Sequence, residues 1–417
     1  DSFLCPDKAG ERGNLGIGRG AFIWSQGGPV RGRKGKAMLK GIIFDMDGVL
    51  INSEPFHFQV WRETLKARGI HIDYEVYKPC IGSTIDFLMK LLHEHYGVDL
   101  QDIALIAEMK SVKARLMEEN GYPPLIPWVK ELLDRLQQAG YAMAVASSSP
   151  LSYIEKVTEH WNIDRYFQKL VSGEQVQNPK PAPDVFLKAA ESLGLSAEEC
   201  LVIEDSENGC RAAKAAGMVC MAYFNPDSGK QDLSTAFTVV EGFEEVDAAF
   251  VEKTYCHYHH LPAVVCETRR LLIREMEKED IPRLMEICAQ ETSADACEGV
   301  AKPLKEELED FKMYRRYMYE LCDMGYWCIL KKDSGEIIGR AGVEPKLWNE
   351  KNTVVELGYV IDEKFRRRGF AYEACKAIIE EAEKRGAVYL YCRIKSANTP
   401  SLKLAEKLGF QKMDYHL

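Results

Sequence analysis

Asp45 and Asp47 stand two residues apart, directly after the apolar run Gly41-Ile42-Ile43-Phe44 and before Gly48. Four apolar residues without alternation read as a short strand buried on both faces. Carboxylates at the end of such a strand are costly unless their charge is used. With Gly48 to bend the backbone, the pair could bind a divalent cation and present a nucleophile. A polar turn capping a strand would look the same in isolation, so the elements around the pair decide.

Those elements alternate. Strand-like runs occur at residues 41–44, 141–146, 201–203 and 219–223. Helical stretches lie between them, with Val129, Leu132, Leu133 and Leu136 on one face and Phe186, Ala189, Ala190 and Leu193 on another. This pattern predicts an α/β domain with a doubly wound parallel sheet. The interval of about residues 53–122 is instead mostly helical, with stripes at Phe58, Trp61 and Leu65 and at Ile85, Leu88, Met89 and Leu92. It predicts a helical cap inserted after the first strand. Ligands of open α/β sheets sit at the carboxyl ends of the strands. There the sequence puts Asp45 and Asp47, then Ser147, Ser148 and Ser149, then Glu204 and Asp205. Lys180 lies between prolines just before a helix, where its charge has a use only if something nearby needs it. Each group alone reads as a cap, a turn or a surface lysine. Their order, each at the end of an element, favours one shared rim.

Composition narrows the partners. The chain has 417 residues, 46% of them hydrophobic, and a formal net charge of -10. The length suggests two or three domains. The acidic balance argues against nucleic acid or an anionic membrane as the main partner. With no apolar run long enough to cross a bilayer and no signal-peptide pattern, a cytoplasmic location is expected. The 13 cysteines are scattered without CxxC spacing and are expected to be reduced thiols. Residues 1–37 carry a glycine cluster and the basic run RGRKGK without periodicity. They read as a disordered leader, with the functional protein expected to begin at Met38.

The segments DMDGV from Asp45, the serine after the second strand, KPAPD from Lys180 and EDS from Glu204 resemble the four motifs of the haloacid dehalogenase superfamily, in its helical-cap branch. The likeness covers about residues 38–250 and implies a Rossmann-like fold. It further implies that Asp45 is the nucleophile that becomes an aspartyl phosphate and that Asp47 is the general acid/base. Mg²⁺ would be held by Asp45, the carbonyl of Asp47 and Asp205, with Glu204 close by. Ser147 and Lys180 would hold the phosphoryl oxygens. Independently, a carboxylate attacking a phosphate dianion needs cations to offset repulsion and fixed donors for the equatorial oxygens. The substrate is expected to be a small phosphorylated metabolite, with His57, Ser148 and Ser149 beside it.

Within that superfamily the segment is similar to β-phosphoglucomutases and sugar-phosphate phosphatases. His57 stands where the mutases keep a histidine. Ile81 and Ile85, however, occupy the places of a mutase lysine and of the arginine that clamps a second phosphate. The expectation is hydrolysis, with mutase action as the alternative. Asn52 stands where the family usually has an acid.

Residues 251–268 read as a partly exposed linker, and the Tyr255–His260 cluster lacks the ligand spacing of a tetrahedral metal site. From residue 269 the order changes to strand, helix, a charged helical stretch and consecutive strands at 326–331, 336–343 and 353–361, an α+β domain with an antiparallel meander. Arg366-Arg367-Arg368-Gly369-Phe370-Ala371 then opens a helix. Unhindered N–H groups at a positive helix end suit a pyrophosphate. This segment, the strand after its helix and SANTPSLKLAEKLGF resemble the Gcn5-related N-acetyltransferase fold over about residues 269–417. The resemblance implies acetyl-CoA between splayed strands, its pyrophosphate on Arg366, Arg368, Gly369 and Ala371, and Asn398 and Ser401 near the pantetheine. It also implies Glu356 as the base for an amine acceptor. Ala405 stands where many members carry a tyrosine acid. A binding module without transfer activity is the alternative for this domain.

Overall fold

Runs such as Ile42-Ile43-Phe44 and Leu201-Val202-Ile203 are fully buried. Each such side chain stabilises the fold by about 1.5–3 kcal/mol relative to exposure. They belong to a computed structural model that describes residues 2–4, 38–80, 85–97, 103–290, 302–349, 352–387 and 389–412. The described residues form two compact units that divide after Tyr258.

Strand β1 (Ser2–Leu4) belongs to the second unit. The first unit begins with β2 (Gly41–Phe44), followed by the cap helices α1 (Glu54–Lys66), α2 (Tyr74–Tyr77), α3 (Ile85–Tyr96) and α4 (Ile103–Asn120). Then come α5 (Val129–Gln138), β3 (Ala142–Ser147), α6 (Leu151–His160), β4 (Lys169–Ser172), α7 (Asp184–Leu193), β5 (Cys200–Glu204), α8 (Glu207–Ala215), β6 (Val219–Tyr223), β7 (Thr238–Val240) and α9 (Ala248–Tyr258). The sheet order is β4-β3-β2-β5-β6-β7, and every pairing is parallel. The expected doubly wound sheet is present, with β2 at its centre. Strands β4 and β7 were not expected. They are short edge strands, and their few buried residues leave no apolar run to read.

The cap has its own core of Trp61, Leu65, Leu88, Met89, Leu92 and Leu105. Its two connections are tied side by side. Ile126 N–H donates to Leu50 O at 3.0 Å and Asn52 N–H to Pro124 O at 2.8 Å. Residues 81–84, with Ile81 among them, lie outside the described residues, and the side chain of Ile85 does too.

The second unit contains β8 (Val264–Glu267), β9 (Leu271–Glu275), α10 (Ile281–Cys288), α11 (Leu304–Tyr314), β10 (Gly325–Lys331), β11 (Ile337–Asn349), β12 (Asn352–Ile361), α12 (Phe370–Lys384), β13 (Leu390–Arg393), α13 (Thr399–Lys407) and β14 (Gln411–Lys412). The order is β14-β1-β13-β12-β11-β10-β9-β8. Strands β8 to β12 form an antiparallel meander. Between β12 and β13 the pairing is parallel and limited to Val355 with Leu390 and Glu356 with Tyr391, so the two strands part beyond Glu356.

Two boundaries differ from expectation. Residues 251–268 are not a linker: α9 buries Val251, Thr254, Tyr255 and His257 within the first unit, and the Tyr255 hydroxyl donates to Glu198 O at 2.7 Å. Strand β8 already pairs with β9 in the second sheet. The leader also departs from a uniformly disordered segment, because Ser2–Leu4 pairs antiparallel with both β13 and β14. Three residues carry no periodicity, so such pairing is invisible in the sequence. The remaining leader residues, 1 and 5–37, lie outside the described residues. No helix among the described residues is long and apolar enough to cross a membrane.

Candidate functional site

Asp45 continues the β2 ladder, its N–H donating to Ile203 O of β5 at 2.9 Å, so its side chain emerges on the carboxyl rim of the sheet. Lys180 Nζ lies 2.5 Å from Asp45 Oδ1 and 2.8 Å from Glu204 Oε1. The other oxygen of Glu204 accepts from Asp205 N–H at 2.6 Å, Ser206 N–H at 2.7 Å and Ser206 Oγ at 3.0 Å. Glu204 thus holds the lysine and the loop after β5 in place, and both its oxygens are engaged. It can come this close to α8 because residue 209 is glycine. A Cβ there would lie 1.6 Å from Glu204 Oε1.

Asp205 is buried, and the Ser228 hydroxyl donates to its Oδ2. Gly48, at φ +85°, lets that carboxylate lie against the turn after β2, since a Cβ would stand 2.0 Å from Oδ2. The Gly48 carbonyl is fixed by Asn225 Nδ2 at 3.0 Å.

Burial pushes the Asp45 carboxyl up to about 7, against the pull of Lys180 and with the fields of Glu204 and Asp47 adding to the rise. Burial, with Glu204 and Asp45, also raises Asp205 well above the usual range. For Lys180 burial acts downward, but Asp45 and Glu204 outweigh it and hold the ammonium above its ordinary value. The centre therefore sets three buried carboxylates against one ammonium. Oxygen donors with excess negative charge suit a hard divalent cation. No group of three His, Cys, Asp or Glu side chains among the described residues is arranged to hold a metal ion. The expected set asks for only two such side chains, Asp45 and Asp205, and one carbonyl.

Asp47 is held differently. Its Oδ2 accepts from Ser149 Oγ at 2.7 Å and from Ser147 Oγ at 3.4 Å, while Oδ1 is buried without a partner among the described residues. Ser147 is buried and accepts the Ser149 N–H at 3.0 Å. The structure thus brings together Asp45, Asp47, Ser147, Ser149, Lys180, Glu204 and Asp205. The Ser148 side chain is exposed. His57 Nδ1 lies 3.8 Å from Glu54 Oε1 on its own helix. Asn52 donates to Asp227 Oδ2 at 2.7 Å. Sequence reasoning missed Asn225 and Ser228, although they follow the carboxyl end of β6 and so obey the same rim rule.

In the second unit, Arg367 has φ 58° and Gly369 φ 79° ahead of α12. Its N-cap residue, Gly369, has no side chain to cap that helix. Arg270 braces the turn: its guanidinium donates to Arg368 O at 3.1 Å and to Glu373 Oε2 at 2.7 Å. Arg366 spends its Nε on Ile361 O at 2.8 Å, and the Arg368 guanidinium lies 5.6 Å from the Phe365 ring centroid. Left-handed residues before an uncapped helix leave N–H groups aimed outward, a concavity suited to an anion. Ala371 lies in the first turn of that helix. Asn398 caps α13 by accepting Ser401 N–H at 3.3 Å, and Ser401 Oγ is 2.8 Å from the Tyr359 hydroxyl, a group sequence reasoning missed. Glu356 is engaged by Arg393, at 2.6 Å to Oε1 and 3.2 Å to Oε2. An amine's base at this position would first have to release that guanidinium.

Comparison with known proteins agrees with this division. The family model for haloacid dehalogenase-like hydrolases matches residues 42–223, and that for the acetyltransferase (GNAT) domain matches residues 270–411. Over 179 residues the chain is 34% identical to the fructose-1-phosphate phosphatase YqaB of Escherichia coli, covering 43% of this chain and 93% of that protein. It is 30% identical to a phosphorylated carbohydrates phosphatase of Thermotoga maritima, over 43% of this chain and 82% of the relative. Hexitol phosphatase B of Escherichia coli is 33% identical, over 42% of this chain and 79% of the relative. The chain belongs to the haloacid dehalogenase-like hydrolases and joins to that hydrolase an acetyltransferase domain of the GNAT family, an enzyme of two parts.

Proposed function

We propose that the first unit is a Mg²⁺-dependent phosphatase of a small phosphorylated carbohydrate. The observation that carries this reading is the unequal treatment of two neighbouring carboxylates: Lys180 grips Asp45, whereas serine hydroxyls hold Asp47. Asp45 attacks phosphorus and forms an aspartyl phosphate as the ester P–O bond breaks. Asp47 gives its proton to the departing oxygen. It then takes a proton from the water that attacks the aspartyl phosphate, which releases inorganic phosphate and regenerates Asp45. Lys180 and Ser147 neutralise and orient the phosphoryl oxygens. Asp45, the Asp47 carbonyl and Asp205 would hold Mg²⁺, with Glu204 positioning Lys180 beside them. When bound, Mg²⁺ supplies positive charge that offsets repulsion between the nucleophile and the phosphate. The named activities of the relatives support a carbohydrate phosphate as substrate. The mutase alternative leans on His57, which is paired with Glu54.

The second unit is read as an acetyl-CoA-dependent N-acetyltransferase. The parting of β12 and β13 and the uncapped α12 support a CoA site, with Asn398 and Ser401 beside the pantetheine. Glu356 would serve as the base once an amine acceptor displaces Arg393.

Phosphate release from a panel of sugar phosphates, with and without Mg²⁺, tests the first reading. Metal-dependent release that Asp45→Asn abolishes is expected, and retained turnover in Asp45→Asn would overturn the nucleophile assignment. CoA release from acetyl-CoA with a panel of amines tests the second. Tight acetyl-CoA binding without turnover on any amine would favour a binding module.

A further inference from the structure

Lys113 projects from α4, the last cap helix, and its ammonium lies 4.2 Å from the centroid of the Tyr153 ring. Tyr153 lies in the first turn of α6 in the core, and its N–H donates to Pro150 O. The residue before Pro150 is Ser149, whose hydroxyl holds Asp47. The Lys113–Tyr153 contact therefore crosses from cap to core beside the acid/base.

Neither group is consumed by the fold. Tyr153 is 8% exposed, and its hydroxyl is buried without a hydrogen-bond partner among the described residues. Leaving such a group unmade is costly, and the large majority of buried side-chain polar groups in native structures have a partner. Burial pushes the Lys113 ammonium below its ordinary value, and the opposing field is that of Asp47. Burial also raises the Tyr153 hydroxyl, with the Asp47 field next, so the phenol keeps its proton as a donor. The Tyr122 ring, 6.4 Å from that of Tyr153, extends the wall. No step of phosphoryl transfer uses Lys113 or Tyr153.

We propose that Lys113 and Tyr153 form the subsite for the leaving group, donating hydrogen bonds to hydroxyl groups of a sugar or polyol chain next to the scissile oxygen. The inference rests on the phosphatase reading and deepens it by naming what the cap recognises. An ammonium offers three donors, and a phenol offers a donor and an acceptor. A hydroxyl-rich leaving group satisfies both, whereas an aryl leaving group strands the buried phenol, and this difference supplies discrimination.

The test compares kcat/KM for fructose 1-phosphate and p-nitrophenyl phosphate in the full chain, in Lys113→Met and in Tyr153→Phe. Each substitution is expected to lower the sugar-to-aryl ratio about tenfold, chiefly through KM. Tyr153→Phe should melt no lower than the parent, because it removes an unpartnered buried hydroxyl. An unchanged ratio, or a Tyr153→Phe variant that loses stability and both activities alike, overturns the proposal. Calorimetry separates this outcome from failure of the phosphatase reading. In the Asp45→Asn background, Lys113→Met should weaken fructose 1-phosphate binding about tenfold and inorganic phosphate binding much less. Equal weakening of the two ligands overturns the subsite even if neither ester proves to be hydrolysed.

Discussion

Ser149 Oγ donates to Asp47 Oδ2 at 2.7 Å, a closer approach than the 3.4 Å of Ser147 Oγ. One oxygen of the proposed acid/base is thereby fixed, while the other has no partner among the described residues. Ser149→Ala should lower kcat about fivefold with little change in KM, since a single orienting hydrogen bond contributes about 1 kcal/mol. Ser147→Ala should act more on KM, through the phosphoryl oxygens. Steady-state kinetics on both variants checks this, and the reverse assignment would exchange the two serines' roles.

Gly209 marks where α8 makes room for Glu204. A methyl group there would meet the Glu204 carboxylate at 1.6 Å, and that carboxylate is pinned by Lys180 and by the N–H groups of Asp205 and Ser206. Gly209→Ala should destabilise the chain by roughly 1–3 kcal/mol, as overpacking does, and reduce phosphate release. Urea unfolding reads the first effect. A wild-type midpoint would mean that the loop gives way without cost.

The charge excess around Asp45, Glu204 and Asp205 predicts metal linkage apart from catalysis. Millimolar Mg²⁺ should raise the melting temperature of the first unit by mass action on the folded state. EDTA should reverse the shift and stop phosphate release, and Asp205→Asn should blunt the shift. Differential scanning calorimetry decides. A melting temperature indifferent to Mg²⁺ in the parent chain argues against a cation at these carboxylates.

Gly369 precedes α12 at φ 79°, a conformation that costs other residues about 1–2 kcal/mol. Gly369→Ala is expected to weaken acetyl-CoA binding severalfold by distorting the turn. Gly369→Glu should weaken it more than tenfold, because it adds a negative charge where phosphates are expected. Titration calorimetry measures both, and unaltered affinity in the glutamate variant would remove this loop from the site.

The strands at Gly41–Phe44 and Val219–Tyr223 and the helix after Gly369 were legible because each is encoded locally. An apolar run stops at polar residues, and a glycine stands before a periodic stripe. Asp45, Ser147 and Asp205 were legible for a related reason: in a parallel sheet the carboxyl ends of strands share one rim, so residues far apart in sequence converge by topology alone. The burial of α9 was harder to read, because Glu252, Lys253 and His257 interrupt its apolar face. The pairing of Ser2–Leu4 involves too few residues to leave a pattern.

By itself, then, the sequence determined the two kinds of domain, the alternation that builds the first sheet and the residues delivered to its rim. Only the tertiary structure decided what each polar group does on arrival. Glu204 spends both oxygens on Lys180 and the loop after β5, His57 turns to Glu54, Arg393 grips Glu356, and Lys113 reaches from the cap to Tyr153, whose hydroxyl has no partner among the described residues. The physical reason is range. Secondary structure follows from neighbours along the chain, whereas a buried charge or hydroxyl takes its partner from whichever distant segment the packing brings within hydrogen-bond distance.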